Sequence, residues 1–321
     1  MRTAYLSALG MMGRRHLSGL VRAGFAVSAS DPNPVVFDMA RNELLKAGLP
    51  VDSLTAVPLP SGNYDVAIFA ETALDRLFNF QRFLSLASAE KILLEKPLSA
   101  NPEEFLAFVA SATQYGVEAK TQVNFIRRTW AHVQQLMNLC ASESSFSVTL
   151  NGGAIGLGCM GIHYLDTFLA LCGDEVPKVV WSALSDQDIA SGRGSQFKDF
   201  GADFVLKGSR GKLLASLEAG SSANVVMTVR GAHFMVQVDY ADRQWKLAQR
   251  KPESKLPNYK YGADYQVVEQ CKLELPTMDS VTELWALDRL QLSPLTSAIE
   301  PHLLLDGILR AGGALPPYRF T

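Results

Sequence analysis

The first third of the chain alternates between two hydrophobic periods, and that alternation restricts it to a small set of folds. Thr3 to Leu9 is a short apolar run without helical spacing, bounded by Gly10. From Met12 to Ala23, Leu17, Leu20 and Val21 repeat at helical spacing until Gly24 stops the pattern. Phe25 to Ser30 reads as a second strand ending at Asp31-Pro32, and a helix from Val35 to Ala47 is closed by Gly48. Tyr64 to Ala70 is a third strand, Leu74 to Leu86 a helix, and Lys91 to Leu94 a strand that runs into Glu95-Lys96-Pro97. Pro102 opens a helix that lasts to Tyr115, and Val117 to Val123 is another strand. Buried strands alternating with amphipathic helices build βαβ units on a parallel sheet.

The pattern fades near Asn124, which divides the chain into residues 1–123 and 124–321. A length of 321 residues agrees with two domains at ~150 residues each. In the second part Ser145 to Leu150 is a strand, followed by a glycine-rich approach (Gly152, Gly153, Gly156, Gly158) and a helix from Met160 to Leu171. Strands follow at Ala202 to Leu206, Leu213 to Ala219, Ala223 to Arg230 and His233 to Tyr240. Val236, Val238 and Tyr240 alternate with Gln237 and Asp239, so one face is buried and one is polar. Gly208-Ser209-Arg210-Gly211 and Arg230-Gly231-Ala232 read as hairpin turns. The expected domain is α+β: an antiparallel sheet with a helix on one face, and a final helix over Ser297 to Arg310. Ser191-Gly192-Arg193-Gly194-Ser195 reads as a mobile loop between strands or as a border of a substrate cleft. Trp245, Trp285 and Pro316-Pro317-Tyr318 read as packing residues.

Charge excludes one class of partner. Thirty Lys and Arg against 32 Asp and Glu leave a net charge of −2, so no bulk field draws the surface to nucleic acid or to an anionic membrane. No apolar run approaches the ~20 residues of a membrane span. The apolar N-terminal stretch holds two glycines and runs into Arg14-Arg15-His16 without a cleavage region, which argues against a secretory signal. The four cysteines, Cys140, Cys159, Cys172 and Cys271, form neither a disulfide scaffold nor a zinc pattern. The expectation is a soluble cytoplasmic protein with free thiols and no metal.

Three stretches carry chemistry. Ala8-Leu9-Gly10-Met11-Met12-Gly13 lies between the first strand and the first helix, where a dinucleotide fingerprint G-x-G-x-x-G belongs. Ala8 holds the first glycine position. Gly10 would let backbone approach a pyrophosphate, Gly13 would let helix and strand pack closely, and the free N–H groups at Met11, Met12 and Gly13 would face the phosphates. Asp31, eighteen residues past Gly13, can accept from a ribose diol and repel a 2′-phosphate, favouring NAD over NADP. Its other reading is a turn residue before Pro32. Glu95-Lys96-Pro97-Leu98 sits at the carboxyl end of a buried strand, where α/β sheets place ligands, or else is an ion pair ending a strand. On a helix, Cys159, His163 and Asp166 share one face, beside an apolar face of Ile162, Leu165, Leu169 and Cys172. His163 can exchange a proton near neutral pH or serve as a satisfied structural histidine.

ALGMMGRRH at residues 8–16, EKPLS at 95–99, VNFIRR at 123–128 and GCMGIHYLD at 158–166 together resemble the glucose–fructose oxidoreductase and inositol dehydrogenase (Gfo/Idh/MocA) family over nearly the whole chain. The resemblance implies an α/β N-terminal Rossmann domain, and an α+β C-terminal domain with a large open, mostly antiparallel sheet. That domain would bind substrate, and its exposed face would join copies of the chain into a dimer or tetramer. It further implies hydride transfer between a nicotinamide cofactor and a hydroxyl or keto group of a sugar, polyol or nucleotide-linked sugar. Lys96 would then lie near both nicotinamide and substrate, and Ala70 and Glu95 belong to the expected cofactor-binding set. Arg127 (or its neighbour Arg128), just past a strand end, is a candidate for holding substrate oxygens or a phosphate, with Lys96, Cys159, His163 and Asp166 as the other expected substrate-binding residues. Cys159 stands where the family's helix motif carries an aspartate, ahead of His163. A thiol with a reference pKa of ~8.5 is a poorer proton acceptor at neutral pH than a carboxylate unless its pKa is lowered, so proton transfer would fall more heavily on His163, Lys96 or both. Ala70-Glu71-Thr72-Ala73-Leu74 lacks the Pro and His that family members often carry after the third strand. These departures keep two other readings open: a catalytically silent NAD- and sugar-binding sensor, and a thiol enzyme using Cys159, which is otherwise a small apolar filler.

Overall fold

The computed structural model describes residues 2–153, 155–173, 175–191, 194–257 and 264–320. They form two compact units. The first holds the chain up to Thr129 together with Pro276–His302, and the second holds Trp130–Leu275 and Leu303–Phe320. The sequence pattern changes at residues 123 and 124. The first unit runs a few residues further and takes a late segment back.

In the first unit the chain runs β1 (Arg2–Ser7), α1 (Met11–Arg22), β2 (Phe25–Ser30), α2 (Val35–Lys46), β3 (Leu54–Ala56), β4 (Gly62–Phe69), α3 (Arg76–Leu86), β5 (Ala87–Leu94), α4 (Phe105–Gln114) and β6 (Thr121–Val123). The next six elements are α5 (Ala131–Ala141), β7 (Phe146–Gly152), α6 (Ile162–Cys172), β8 (Lys178–Ala190), β9 (Lys198–Lys207) and β10 (Gly211–Leu217). The second sheet ends with β11 (Val226–Arg230), β12 (Phe234–Asp239), β13 (Gln244–Arg250) and β14 (Tyr265–Lys272). Last come α7 (Met278–Ala286), β15 (Ser293–Pro294) and α8 (Leu295–Ala311).

The first sheet has the order β15-β6-β5-β4-β1-β2-β3. Every pairing is parallel except β15 with β6. From β1 the chain moves outward to β2 and β3, then returns to β4 on the other side. That reversal is the topological switch point, the crevice where open α/β sheets bind ligands. An aromatic core lies under this point. Tyr5 stacks on Phe83 with centroids 5.1 Å apart, and the edge of Phe69 meets Phe80 and Phe83 at 5.5 Å.

Residues 276–302 dock on this unit through a close helix contact. A Cβ at Gly19 of α1 would fall 2.4 Å from the carbonyl oxygen of Asp279, so only glycine admits α7 there. Trp285 is fully buried, donates from Nε1 to Gln122 Oε1 (2.9 Å) and lies under the Lys91 ammonium at 4.8 Å. Trp285 is therefore a packing residue. Val117 to Val123 forms a strand only over Thr121–Val123. Gly116 (φ 67°) ends α4, and a short 3₁₀ turn over Glu118–Lys120 intervenes.

The second unit holds an eight-stranded sheet, β14-β13-β12-β11-β7-β10-β9-β8, antiparallel except for β7 with β10. Phe204, Ala215, Leu150, Met227, Val238 and Trp245 stand opposite one another across six strands and are all buried, so this row is the core face. All eleven residues of α6 are buried, not one stripe of them. Both expected hairpin turns are present, between β9 and β10 and between β11 and β12. Tyr318 is buried and donates to Asp306 Oδ1. Gly192 and Arg193 lie outside the described residues.

Candidate functional site

The glycine turn is built by backbone shape. Ala8 adopts φ 71°, the left-handed conformation that a first fingerprint glycine would supply, and its N–H donates to the carbonyl of Ser30 at 2.8 Å. A Cβ on Gly13 would fall 2.1 Å from the Ala8 carbonyl oxygen, so helix and strand touch here backbone to backbone. Around Gly10 a Cβ would meet nothing within 4 Å. No side chain caps α1, which leaves its first N–H groups facing that open space. Asp31 Oδ2 accepts from the Leu9 N–H (2.7 Å) and Oδ1 from the Asn33 N–H (2.9 Å). Its carboxylate thus holds the glycine turn and opens its own turn, which is the role of a turn residue, with lone pairs remaining. Arg14 pairs with Glu43 (2.8 Å) and donates to the Leu9 carbonyl (3.0 Å), while Arg15 reaches Met12 Sδ (3.8 Å).

The ends of β4 and β5 carry a buried polar network. Glu95 Oε1 is bonded to His16 Nε2 (2.8 Å) and accepts from Asn124 Nδ2 (2.6 Å), and His16 Nδ1 meets Thr282 Oγ1 at 2.8 Å. Burial alone would raise the Glu95 pKa. The hydrogen bond and charge of His16, with Lys96 and Asn124, outweigh it and hold the carboxyl down at about 2. Glu95 therefore ties α1, β6 and α7 together. Next to it, half-buried Lys96 leads into a loop held from two sides. Arg76, itself buried, donates to the carbonyls of Pro97, Leu98 and Glu71. The Leu98 N–H donates to His302 Nε2 (2.8 Å), and His302 Nδ1 donates to the Ala298 carbonyl (2.6 Å). That pair of bonds fixes one neutral tautomer, and burial pushes the His302 pKa down to about 3.

Glu71 follows Ala70 at the carboxyl end of β4. Its Oε1 accepts from Ser7 Oγ at 2.8 Å, and its buried Oε2 has no partner among the described residues. Burial raises its pKa to about 7 against the lowering charge of Arg76. Arg127 is buried in a 3₁₀ turn over Ile126–Thr129, with Arg128 half-buried beside it.

In the second unit Cys159 lies in a π-helical turn, Gly156–Gly161, and α6 starts only at Ile162. This corrects a helix start at Met160. The local cause is Asp199 of β9. Its Oδ1 accepts from the Gly158 N–H and its Oδ2 from the Cys159 N–H, both at 2.8 Å. Gly156 has φ 63°, and a Cβ there would fall 2.4 Å from Asp199 Oδ2. A Cβ at Gly158 would strike the Phe320 ring at 2.3 Å. The glycine-rich approach is thus shaped by what packs on it. His163 and Asp166 are buried in α6, three residues apart on one face, and Thr167 Oγ1 donates to the His163 carbonyl (2.8 Å). Cys159 is half-buried, Cys140 and Cys172 are buried with pKa values pushed up to about 12 by burial, and Cys271 is exposed.

The sequence candidates therefore fall into two groups. Gly10, Met11, Met12, Gly13, Asp31, Ala70, Glu95, Lys96 and Arg127 belong to the first unit, and Cys159, His163 and Asp166 to the second. Sequence reasoning did not assign Glu71, Arg76, Thr282, His302 or Asp199. Their partners lie as far as 266 residues away, and no local spacing marks them. Among the described residues no group of three His, Cys, Asp or Glu side chains is arranged to hold a metal ion, and no helix is long and apolar enough to cross a membrane.

No family model and no curated protein matches the chain. Solved structures do. UDP-N-acetylglucosamine 3-dehydrogenase GnnA from Acidithiobacillus ferrooxidans has a TM-score of 0.65 at 16% identity, over 97% of this chain and 96% of that one. GenD2 from gentamicin A biosynthesis, solved in complex with NAD, has a TM-score of 0.66 at 14% identity, over 97% and 94%. A super-repressor mutant of Gal80p from Saccharomyces cerevisiae has a TM-score of 0.71 at 11% identity, over 97% and 96%. With its N-terminal parallel-sheet α/β unit and its C-terminal eight-stranded, mostly antiparallel sheet, the chain has the two-domain fold of the Gfo/Idh/MocA-type oxidoreductases.

Proposed function

We propose that this protein binds a nicotinamide dinucleotide at the α1 end of the first sheet and transfers hydride to or from a hydroxyl or keto carbon of a sugar, polyol or nucleotide-linked sugar. The observation that carries this reading is the uncapped helix at the switch point, with open space over Gly10 and backbone contact at Gly13. The N–H groups of Met11, Met12 and Gly13 hold the pyrophosphate. Asp31 favours NAD over NADP, because a carboxylate beside a ribose repels a 2′-phosphate. When bound, the nicotinamide supplies the hydride acceptor or donor.

The chain's own residues orient the reactants and move the hydroxyl proton. Lys96 is the proposed proton-exchanging group of the first unit. Its loop is fixed by Arg76 and His302, so its ammonium stem starts from a rigid backbone. His163 is the proposed group of the second unit, with Asp166 beside it and Arg127 of the first unit for substrate oxygens. The spacing of the four cysteines, which forms no disulfide scaffold, supports a reducing, cytoplasmic setting. Homo-oligomerisation through the outer face of the second sheet completes the proposal.

The test is turnover of Lys96→Ala and His163→Ala across sugar, inositol and nucleotide-sugar panels. A fall in kcat/KM of about 10²-fold or more in each is expected for loss of a proton-transferring group. A substrate turned over equally by both variants and the parent overturns the assignment.

Cys159, at a position where the family resemblance calls for aspartate, favours a second reading. The protein would bind NAD and a sugar without reaction, and the likeness to a repressor structure is compatible with that. Tight dinucleotide binding with no hydride exchange for any substrate supports this reading, and measurable turnover removes it.

A further inference from the structure

Glu71 is a buried carboxyl that the proposed chemistry leaves without a role. It sits two residues past β4, and its side chain bends back to the last residue of β1, so it spans the switch point itself. Its neighbour Ala70 lies against the glycine turn, since a Cβ on Gly13 would come 3.7 Å from the Ala70 Cβ. A dinucleotide held with its pyrophosphate on the α1 N-terminus and one ribose beside Asp31 would lay its other half across the crevice toward β4. Resting on the dinucleotide reading proposed above, we infer that Glu71 is a counter-charge for the oxidised nicotinamide ring, so that it makes the preference for NAD⁺ over NADH depend on pH.

The physical basis is the difference between the two ligands. The oxidised ring carries a positive charge and the reduced ring does not. An ionised carboxylate in a poorly solvated crevice attracts the first and is indifferent to the second. At an effective dielectric of about 20, charges several ångströms apart interact by enough to change affinity about tenfold or more. For the effect to depend on pH, the carboxyl must change state in the working range. Burial of the side chain keeps its ionised form poorly solvated, and this outweighs the hydrogen bonds of Ser7 and Asn79.

The groups facing Glu71 are few. From β1 come Ser7 and the phenol of Tyr5, whose own pKa burial raises. From α3 come Asn79 and the Arg76 guanidinium, which favours ionisation, and Arg82 acts on Tyr5 from the same helix. Asp75, in the intervening turn, is exposed and accepts from Thr72. Beyond Arg76, Glu95 and His302 change state near 2 and near 3, far below the window of Glu71. His16 is bonded to Glu95 and Thr282, not to Glu71.

The experiment measures NAD⁺ affinity by calorimetry and NADH affinity by fluorescence on the full chain, without substrate. Between about pH 6 and about pH 8 the ratio of the NADH Kd to the NAD⁺ Kd should rise about tenfold in the parent. In Glu71→Gln it should change by less than about twofold. In Ser7→Ala, which removes one donor to the carboxylate, the midpoint of the rise should move to higher pH. A flat ratio in the parent, an unchanged slope in Glu71→Gln or an unmoved midpoint in Ser7→Ala each overturns the inference while leaving dinucleotide binding intact. Absence of binding by either dinucleotide overturns the parent reading and this inference with it.

Discussion

Ala8 is the clearest case of one residue carrying a conformational load. A non-glycine residue in the left-handed region costs about 1–2 kcal/mol, because its Cβ crowds the following carbonyl. Here φ is 71°, and the next turn of backbone cannot relax it, since Gly13 already rests on the Ala8 carbonyl. Glycine would remove the strain but would free the unfolded chain at an entropic cost of about 0.4–1 kcal/mol. Ala8→Gly should therefore raise stability by about 0.5–1 kcal/mol net, read as a higher urea midpoint with an unchanged slope. A lower midpoint would show that the turn does not strain Ala8. The sequence made the missing glycine visible at Ala8 but not the retained backbone shape. Asp31 shows the reverse. Its two readings, turn residue and ribose acceptor, are not exclusive, because one carboxylate has lone pairs enough to hold the Leu9 and Asn33 N–H groups and still accept from a diol.

At the scale of elements, the Lys96 loop is fastened to β4, α3 and α8 by buried ionisable groups, and this predicts an acid profile. His302 has a folded pKa of about 3 against 6.5 in the unfolded chain, so its contribution is complete above 6.5 and is lost as pH falls toward 3. Glu71 has a raised folded pKa of about 7 against 4.5, so its contribution is present below 4.5 and is lost as pH rises toward 7. Between 4.5 and 6.5 the two act with opposite signs, each by at most about 1.4 kcal/mol per pH unit, and they cancel. Below 4.5 Glu71 is protonated in both states. Glu95, with a folded pKa of about 2 against 4.5, then loses stability together with His302. The stability of the parent should be nearly flat from pH 6.5 to 4.5 and should fall steeply beneath it. Glu71→Gln should uncover a slope in the flat region, with stability rising with pH. Urea midpoints across this range measure both, and parallel profiles for parent and variant would defeat the prediction. None of this was legible in the sequence, because the bonds join Leu98 to His302 and His16 to Thr282 across more than half the chain. In the first sheet β1, β2, β4, β5 and the end of β6 were legible, since burial on both faces leaves apolar runs, whereas β3 and β15, three and two residues long, were too short to leave one. α5, β8, β13, β14 and α7 were not: β8 and β14 are half-exposed edge strands, and α7 is placed by a long-range contact at Gly19.

For the whole molecule, the near-zero net charge matters less than how apolar surface is distributed on the second sheet. Trp181, Val205 and Leu214 stand opposite one another on β8, β9 and β10, in a row that continues through Thr149, Thr228, Gln237 and Lys246. This row alternates with the core row, so it lies on the outer face. Its apolar end is open: Trp181 is 51% exposed and Leu214 37%. Val267 and Val268 on β14 are also exposed, at the opposite edge. Eight strands about 4.8 Å apart and about 20 Å long offer a face of roughly 750 Å². That is close to the ~800 Å² per partner of a stable interface. A sheet face of this size with an exposed tryptophan at one end fits a second copy of the same chain, since paired outer faces are self-complementary about a two-fold axis. Trp181→Lys sets a charge in that apolar end of the second unit's sheet. Sedimentation should show the parent as a dimer or larger and the variant shifted toward monomer. Dinucleotide affinity should stay within about twofold, because a solvent-facing substitution this far from the fold's core shifts stability by only ~0.5 kcal/mol. A parent that stays monomeric at every concentration, or a variant of unchanged mass, would leave the outer face without a role in assembly.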